Sequence, residues 1–230
     1  MNIFSNITSL TFFSLGLTFI CYCIVFKLRK RYAWLNLLIV PSILIFAVIQ
    51  LFNISYEDYE KGCSLYSFLL GPFTVALGVP MYKEAQKLKG HRRKLCFIIF
   101  IGSLVSMISA GVIAWIFGAS FKSIMSVIPK SVTTPIAIEV SKQLHGDPSI
   151  TIAVVIITGI LGSSFSWKLL HFFHIRNERA VGTAMGTCAH ALGTVSAFQK
   201  SETSGGVSSL SMALAGVLTS IIAGIVTYWL

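Results

Sequence analysis

The chain has 230 residues, of which 55% are hydrophobic and only 11% are charged. A soluble domain averages about a quarter charged residues, so this chain has too few charges to cover a surface in water. Its net charge of +10 lies in short clusters between apolar runs, and no basic face with interleaved aromatic side chains occurs, which argues against nucleic-acid binding. The composition therefore predicts an integral membrane protein.

Apolar runs separated by charged loops predict an all-α polytopic membrane fold. The runs cover residues 4–26, 32–53, 64–82, 95–117, 121–146, 149–170, 180–198 and 207–230. Because a membrane-spanning helix needs about 20 mostly apolar residues, every run except 121–146 is predicted to cross, which gives about seven spans. The first run has no basic start and is too long for the apolar core of a signal peptide, so we expect it to be retained.

Three basic clusters, at 27–31, 83–94 and 168–179, set the predicted orientation. The positive-inside rule places all three in the cytoplasm and the N-terminus outside, in the inner (plasma) membrane. A full crossing by 121–146 would put the third cluster outside. This run also contains three lysines, one glutamate and two prolines, too many for a helix that faces lipid. We therefore predict a re-entrant segment, which enters and leaves on the same side.

A short motif, P-x-x-x-E-x-x-K, occurs twice in the chain. Proline-interrupted apolar segments in corresponding positions are the best sequence pointer to the central binding site of a transporter. The motif predicts an internal repeat that pairs the broken segments 64–90 and 121–146 within a core at 63–230, with 1–62 as two peripheral spans of one transmembrane domain. The alternative is two ordinary kinked helices with interfacial ends. The two copies are Pro80, Glu84, Lys87 and Pro135, Glu139, Lys142.

The stretch SVIPKSVTTPIA, residues 126–137, is the first candidate binding site. Its two prolines free backbone groups, which the neighbouring hydroxyls either satisfy or leave for a ligand. If a half-helix begins after Pro135, its free amide groups and dipole attract an anion, and Lys130 adds a full charge. The alternative is that Lys130 extends to the membrane surface. The candidate substrate-binding residues here are Lys130, Ser131, Thr133, Thr134 and Pro135.

The stretch VGTAMGTCAHALGTVSA, residues 181–197, is the second candidate site. Read as one helix, it places small residues on one face, where another backbone can approach closely. A polar stripe lies on the next face, about 100° around the helix, where it is predicted to line a cavity and bind substrate. The small face consists of Gly182, Gly186, Ala189, Gly193 and Ala197. The polar stripe consists of Thr183, Thr187, His190 and Thr194.

Two residues are candidates for proton coupling. His190 has an unperturbed pKa of about 6.5, near physiological pH, and the alternative is a neutral histidine bonded to a neighbouring helix. Glu202 lies in a Ser/Gly-rich turn between two membrane elements, and it is either a loop acid or a coupling acid. His171 and His174 have no acid or cysteine beside them in sequence, so no metal or other cofactor is expected. Hydrolase, zinc-protease and phosphate-binding motifs are missing from the sequence, so an enzyme is not predicted.

Six stretches carry a family resemblance, in order and over nearly the whole chain. They are ISYEDYEKG (54–62), SFLLGPFTVALGVPMYK (67–83), PKSVTTPIAIE (129–139), TGILGSSF (158–165), GTAMGTCAHALGT (182–194) and SSLSMALAGVLT (208–219). Together they resemble the LrgB/CidB family of antiholin-like bacterial membrane proteins, and PKSVTTPIA combined with GTxxGTxxHxxGT is highly specific. After the third Gly-Thr pair many members have an arginine or alanine and then an acid. This chain has Ser196 and Gln199 there, which leaves the choice of substrate open.

The resemblance implies two functions, and both stay open at this point. Members of the family are described as modulators of murein hydrolase activity and cell lysis that act with a small holin-like membrane protein of the LrgA/CidA type. Relatives carry small carboxylates, among them the plastidic glycolate–glycerate transporter of plants and bacterial pyruvate uptake proteins. We therefore expect a carrier of pyruvate-, lactate- or glycolate-like monocarboxylates, with a proton as the coupling ion and a homo-oligomeric assembly. The alternative is a regulatory membrane protein without transport activity.

Overall fold

The structure, a computed structural model, describes residues 7–32, 35, 37, 39–76, 78–87, 90 and 92–229. Throughout this part of the chain the backbone forms α-helices joined by turns and short links, without a strand, which confirms the all-α prediction. A few positions of the predicted runs, 4–6, 33, 34, 36, 38, 77 and 230, lie outside the described residues. The chain divides into two compact units, Met1–Ala76 and Leu77–Leu230. The predicted division into peripheral spans (1–62) and a core (63–230) describes where the segments lie in the membrane, and it stays a prediction.

The first unit contains four helices over its described residues. They are α1 (Ile7–Arg31), α2 (Ile39–Leu51), α3 (Tyr56–Gly62) and α4 (Ser64–Ala76). α2 and α3 are bent by 117° relative to one another. α3 packs closely on α1 because a Cβ atom on Gly62 would collide with the Oγ atom of Ser14. A 2.6 Å hydrogen bond between the hydroxyls of Thr18 and Tyr59 joins the same two helices.

The second unit contains seven helices over its described residues. Three of them are long, namely α6, α9 and α11, and the others are short or broken. The seven are α5 (Gly78–Lys87), α6 (Arg92–Ile116), α7 (Phe121–Val127), α8 (Thr134–Gln143), α9 (Pro148–Phe172), α10 (Glu178–Phe198) and α11 (Glu202–Trp229).

Four stretches of the described helices are long and apolar enough to cross a membrane. They are Leu10–Arg31, Arg93–Ile116, Pro148–Phe172 and Glu202–Trp229. The bent pair α2–α3 gives a fifth if it forms one broken span. The predicted number of about seven is therefore not confirmed. The predicted span 64–82 is divided between α4 and α5, and the predicted span 180–198 is broken at its centre.

Residues 121–147 form a helical hairpin, called hairpin 1, with α7 and α8 as its arms and residues 128–133 as its tip. The arms have 7 and 10 residues and rise only about 10 and 15 Å, against a hydrocarbon core of about 30 Å. The two ends of the hairpin meet at its base. There Lys122 forms a 3.2 Å ion pair with Asp147, whose backbone N–H donates to the Oγ atom of Ser126 at 2.6 Å. The chain thus returns to the end at which it entered, as the re-entrant prediction for 121–146 requires.

The predicted straight helix at 180–198 is wrong at its centre. Ala189 and His190 have non-helical backbone angles, and His190 has a positive φ of 41°. Along a straight helix, residues 185 and 193 would be about 12 Å apart. A Cβ atom on Gly193 would instead lie 2.5 Å from the carbonyl oxygen of Met185, so the chain turns back on itself.

The segment 178–198 is therefore a second helical hairpin, called hairpin 2, with arms 178–188 and 191–198 and with Ala189–His190 as its tip. The buried side chains of Val181 and Ala197 share one core cluster at its base, although they lie near opposite ends of the segment. The predicted small face is divided accordingly. Close packing against a neighbouring helix is confirmed for Gly182 and Gly186, where a Cβ atom would collide with carbonyl oxygens of α11, whereas Gly193 faces the first arm of its own hairpin.

α9 contacts both hairpins, one at each of its ends. Near its start, the hydroxyl of Thr151 donates a 2.9 Å hydrogen bond to a carbonyl of α7. Near its end, Trp167 packs on the base of hairpin 2. Both tips reach its middle, where Val155 packs against Val132 of hairpin 1 and its carbonyl oxygen lies 3.1 Å from the Nε2 atom of His190. The two hairpins therefore enter from opposite ends of α9 and meet by their tips.

The helix bounds reveal a repeat of 56 residues. α5 begins at Gly78 and α8 begins at Thr134, a shift of 56 residues. α5 ends at Lys87 and α8 ends at Gln143, which is again a shift of 56 residues. α6 and α9 are related by the same shift at both their first and their last residues. The predicted motif lies in α5 and α8, where its two copies are 55 residues apart, one fewer than the helix bounds. Both copies form an i,i+3 ion pair between glutamate and lysine. Each repeat holds one long helix, so successive copies run in opposite directions, which accounts for the opposed hairpins.

Candidate functional site

A small cavity lies where the tip of hairpin 1 and the first arm of hairpin 2 meet the middles of α6 and α11. Half of its lining residues carry hydroxyls and half are apolar, so the cavity presents both polar and apolar surface. The hydroxyl residues are Ser103, Ser106, Ser131, Thr187 and Thr219. The apolar residues are Met107, Ile128, Pro129, Val132 and Ala215.

The ammonium group of Lys130, in the tip of hairpin 1, is hydrogen-bonded to this lining. It donates to the hydroxyl oxygens of Ser106, at 3.2 Å, and of Ser131, at 3.1 Å. These two oxygens lie 2.6 Å from each other. The ammonium group has three donors, and no carboxylate of the described residues forms an ion pair with it. A partly buried cation without an acidic partner favours an anion beside it.

Two hydroxyls of the lining have no hydrogen-bond partner among the described residues. They are Oγ of Ser103, in α6, and Oγ1 of Thr187, in hairpin 2. Ser103 is 3% exposed and Thr187 is 4% exposed. Leaving a buried hydroxyl unpaired costs about 1–3 kcal/mol. Thr187 packs on α6 beside Ser103, because a Cβ atom on Gly102 would lie 3.2 Å from its Cγ2 atom. The pair therefore leaves hydrogen-bonding groups in the cavity free for a small polar molecule.

His190 fixes the tip of hairpin 2 to α9 and does not line the cavity. Its Nε2–H group donates to the carbonyl oxygen of Val155 at 3.1 Å, so this nitrogen carries the proton. The ring lies over Gly159, where a Cβ atom would be 2.6 Å from its Cε1 atom. A histidine bonded to a neighbouring helix, which the sequence leaves as the alternative, is the arrangement present.

The other two threonines of the predicted polar stripe are paired within the protein. Thr183 donates to the carbonyl oxygen of Arg179 at 2.8 Å. Thr194 donates to the carbonyl oxygen of His190 at 2.9 Å, and its oxygen lies 2.9 Å from the Oγ atom of Ser208 in α11. These hydroxyls therefore stabilise hairpin 2 through hydrogen bonds within the protein.

A comparison with protein families matches residues 18–229 to the LrgB-like family. The chain belongs to this family. It is 37% identical over 209 residues to the protein YwbG of Bacillus subtilis, with 90% of this chain and 92% of the relative covered. It is 31% identical over 208 residues to the holin-like protein CidB of Staphylococcus aureus (90% and 91% covered). It is 29% identical over 218 residues to the antiholin-like protein LrgB of Bacillus cereus (94% and 95% covered).

No solved structure matches the chain. The long apolar helices and the family membership together identify this LrgB-like protein as a multi-pass membrane protein.

In this LrgB-like protein, three of the predicted binding residues come together at the cavity: Lys130, Ser131 and Thr187. The remaining predicted residues do not line it. Thr133, Thr134 and Pro135 lie at the start of α8. Thr183, His190 and Thr194 lie inside hairpin 2. Glu202 lies in the first turn of α11, with an exposed side chain.

Sequence reasoning missed Ser103 and Ser106, because both lie in the apolar run 95–117, which reads as an ordinary span. A signal is present in the stretch GSLVSMISAG, residues 102–111. Its small and polar residues recur every three to four positions, so they share one face of the helix. Small residues on one face of a membrane helix indicate close packing, and here that face meets both hairpins.

Proposed function

We propose that this protein carries small monocarboxylates of the pyruvate, lactate and glycolate type across the membrane. The observation that supports this most is the ammonium group of Lys130, held by two cavity hydroxyls and without an acidic partner among the described residues. A carboxylate would satisfy that charge, and no acidic side chain of the described residues lines the cavity to compete with it. The apolar half of the lining would contact a short carbon chain once the hairpin tips move apart to admit it.

The opposed hairpins support a carrier rather than a fixed pore. In many transporters the substrate site lies near the middle of the membrane, where broken helices of two inverted repeats meet. Here hairpin 1 and hairpin 2 reach the same cavity from opposite ends of α9. Withdrawal of one tip opens the cavity toward one side while the other tip keeps it closed, which is the requirement for alternating access.

Uptake of labelled pyruvate, lactate and glycolate into proteoliposomes tests the proposal. Saturable uptake of at least one acid is expected. Lys130→Gln removes the charge but keeps hydrogen-bonding groups. It is expected to lower kcat/KM about tenfold or more, since hydrogen bonds to charged groups contribute about 1.5–3 kcal/mol.

Lys142→Gln is the matched control, because Lys142 is an exposed lysine of α8 paired with Glu139 at 2.8 Å. It is expected to transport normally. If the folded, reconstituted protein shows no saturable uptake of any of the three acids, the proposed function is wrong.

A proton is the proposed coupling ion, with His190 and Glu202 as its candidate carriers. His190 lies at the tip of hairpin 2. Glu202 begins α11 beside the base of that hairpin, where the hydroxyl of Ser204 donates to the carbonyl oxygen of Glu178. Movement of hairpin 2 would change the surroundings of both. Uptake with and without an imposed pH gradient tests this: His190→Gln or Glu202→Gln is expected to abolish accumulation but not exchange, and accumulation that ignores the gradient would exclude a proton.

A second function is favoured by the names of the relatives, one holin-like and one antiholin-like. On this proposal the protein acts with a small holin-like membrane partner in the control of murein hydrolase activity and lysis, without transport of its own. Deletion of the protein would then change the rate of autolysis. The Lys130→Gln protein would restore the normal rate as fully as the unaltered protein, whereas a failure to restore it would connect lysis to the cavity.

The inner (plasma) membrane is the proposed location, with the N-terminus outside, and a homo-oligomer is the proposed assembly. The proposed orientation rests on the basic clusters, which the positive-inside rule places in the cytoplasm. Mass measurement of the purified protein in detergent tests the assembly, since a monomeric mass at all concentrations would contradict it.

A further inference from the structure

We propose that the hydroxyls of Ser103 and Thr187 make the carrier selective for acids that bear a second oxygen on carbon 2. This inference rests on the proposed transport function. Lys130 alone cannot provide such selectivity, because every small monocarboxylate presents the same charge to it. Other groups of the lining must therefore recognise a second feature of the substrate by contact with it.

Four of the five hydroxyl side chains of the cavity fall into two sets, and the fifth, Thr219, lies on α11. Ser106 and Ser131 are bonded to the ammonium group of Lys130 and lie 2.6 Å from each other, so they belong to the carboxylate end. Ser103 and Thr187 are buried and have no partner in the part of the chain that the structure describes. They are the groups that remain for the other end of a bound acid.

The two ends lie one helical turn apart. Ser103 and Ser106 are i and i+3 on α6, neighbours on one face with about 5–6 Å between their Cβ atoms. A two- or three-carbon acid spans a distance of this order. Lys130 belongs to hairpin 1 and Thr187 to hairpin 2, so an acid that contacts both side chains bridges the two hairpins.

The unpaired hydroxyls distinguish lactate from propionate, and glycolate from acetate. The plain acids leave both hydroxyls without a partner and shut off from water, whereas the 2-oxygen of lactate or glycolate pairs with at least one. Sites built to hydrogen-bond a substrate hydroxyl discriminate strongly against the analogue that lacks it. A serine or threonine hydroxyl both donates and accepts, so it serves a 2-oxo acid as well as a 2-hydroxy acid.

Uptake of lactate, propionate, glycolate and acetate into proteoliposomes tests the inference, with kcat/KM measured for each acid. The unaltered protein is expected to prefer lactate over propionate, and glycolate over acetate, by about tenfold or more. Ser103→Ala and Thr187→Val are each expected to lower both ratios, and the double variant to bring them near one. Ser109→Ala is the matched control on the same helix, because its exposed hydroxyl donates to a backbone carbonyl and does not line the cavity.

The outcomes separate this inference from the proposed function. Equal kcat/KM for lactate and propionate in the unaltered protein overturns the selectivity and leaves monocarboxylate transport in place. Unchanged ratios in a correctly folded Ser103→Ala or Thr187→Val protein overturn it as well, and either variant suffices if the other does not fold. Absence of uptake of all four acids overturns the proposed function and this inference with it.

Discussion

His190 adopts a backbone conformation that is uncommon for a residue with a side chain, and its neighbours hold it there. Its φ of 41° falls in a region that costs of order 1–3 kcal/mol for a residue other than glycine. The hydrogen bond to Val155 and the packing of the ring on Gly159 fix the ring on α9 and offset this strain.

At the residue scale, Gly159→Ala is expected to destabilise hairpin 2 and to lower uptake. The new Cβ atom would lie 2.6 Å from Cε1 and 2.7 Å from Nε2 of the His190 ring, so the ring would have to leave its hydrogen bond. Thermal unfolding in detergent measures the effect. Gly224→Ala, in α11 with nothing within 4 Å of its Cβ position, is the control. It is expected to be neutral or slightly stabilising, because alanine favours a helix over glycine by about 1 kcal/mol. Equal midpoints for the two variants would show that the ring is not confined by Gly159.

The sequence predicts the chemistry of the site better than its backbone. Lys130 and Ser131 stand out because charge and proline are rare in membrane helices. The break at Ala189–His190 has no such signal, since no proline is present and the Gly-Thr pairs recur with helical spacing. Only the packing against α9 shows that the chain turns there. This packing joins residues that lie 31 positions apart in sequence, Gly159 and His190.

At the element scale, an ion pair between Lys122 and Asp147 closes the base of hairpin 1. The Lys122 ammonium group, together with the Ser149 backbone N–H, holds the pKa of the Asp147 carboxyl below its usual value. Because the unfolded pKa is higher, at about 3.9, the stabilisation is present above that pH and is lost as the pH falls through the folded value. Its size is small, since the Lys122 side chain is 63% exposed.

Asp147→Asn tests this contact, because asparagine also caps a helix start but carries no charge. The variant is expected to unfold at a slightly lower temperature than the unaltered protein near neutral pH, and the difference is expected to vanish toward low pH. Unfolding midpoints measured across the acid range give the answer. A difference that stays constant over that range would exclude the ion pair as its cause.

The two hairpins differ in how well they can be predicted from the sequence. Hairpin 1 is predictable because Pro129 and Pro135 interrupt its run and the charge distribution forbids a crossing. Hairpin 2 reads as a span, since its 21 residues contain glycine and threonine but no proline. The 56-residue repeat supplies the missing argument. Hairpin 1 follows the long helix α6, so the corresponding segment after α9, which is 178–198, is expected to form a hairpin as well.

At the scale of the whole molecule, hairpin 2 changes the orientation predicted for the last helix. Because 178–198 returns to its starting end, the end of α9 and the start of α11 lie on the same side. Lys200 then joins Lys168, Arg176 and Arg179 in one basic cluster, which the positive-inside rule places in the cytoplasm. α11 consequently runs outward, and the C-terminus is predicted to lie outside.

Labelling of single cysteines in a cysteine-free chain tests this orientation. With a membrane-impermeant thiol reagent on intact cells, Ser149→Cys, an exposed position at the base of hairpin 1, is expected to react. Lys200→Cys, also exposed, is expected to react only after the membrane is permeabilised. Reaction of Lys200→Cys in intact cells would mean that 178–198 crosses the membrane.

The lining of the cavity extends in sequence from Ser103 to Thr219, and this affects how the protein is made. Lys130 leaves the ribosome roughly 5–20 s before Thr219, at the usual rate of about 5–20 residues per second. At the start of that interval its charge has α6 beside it but neither hairpin 2 nor α11. A chain that stops short of α11 thus presents a charged, half-built hairpin to lipid, a feature by which membrane quality control can distinguish an unfinished copy from a complete one.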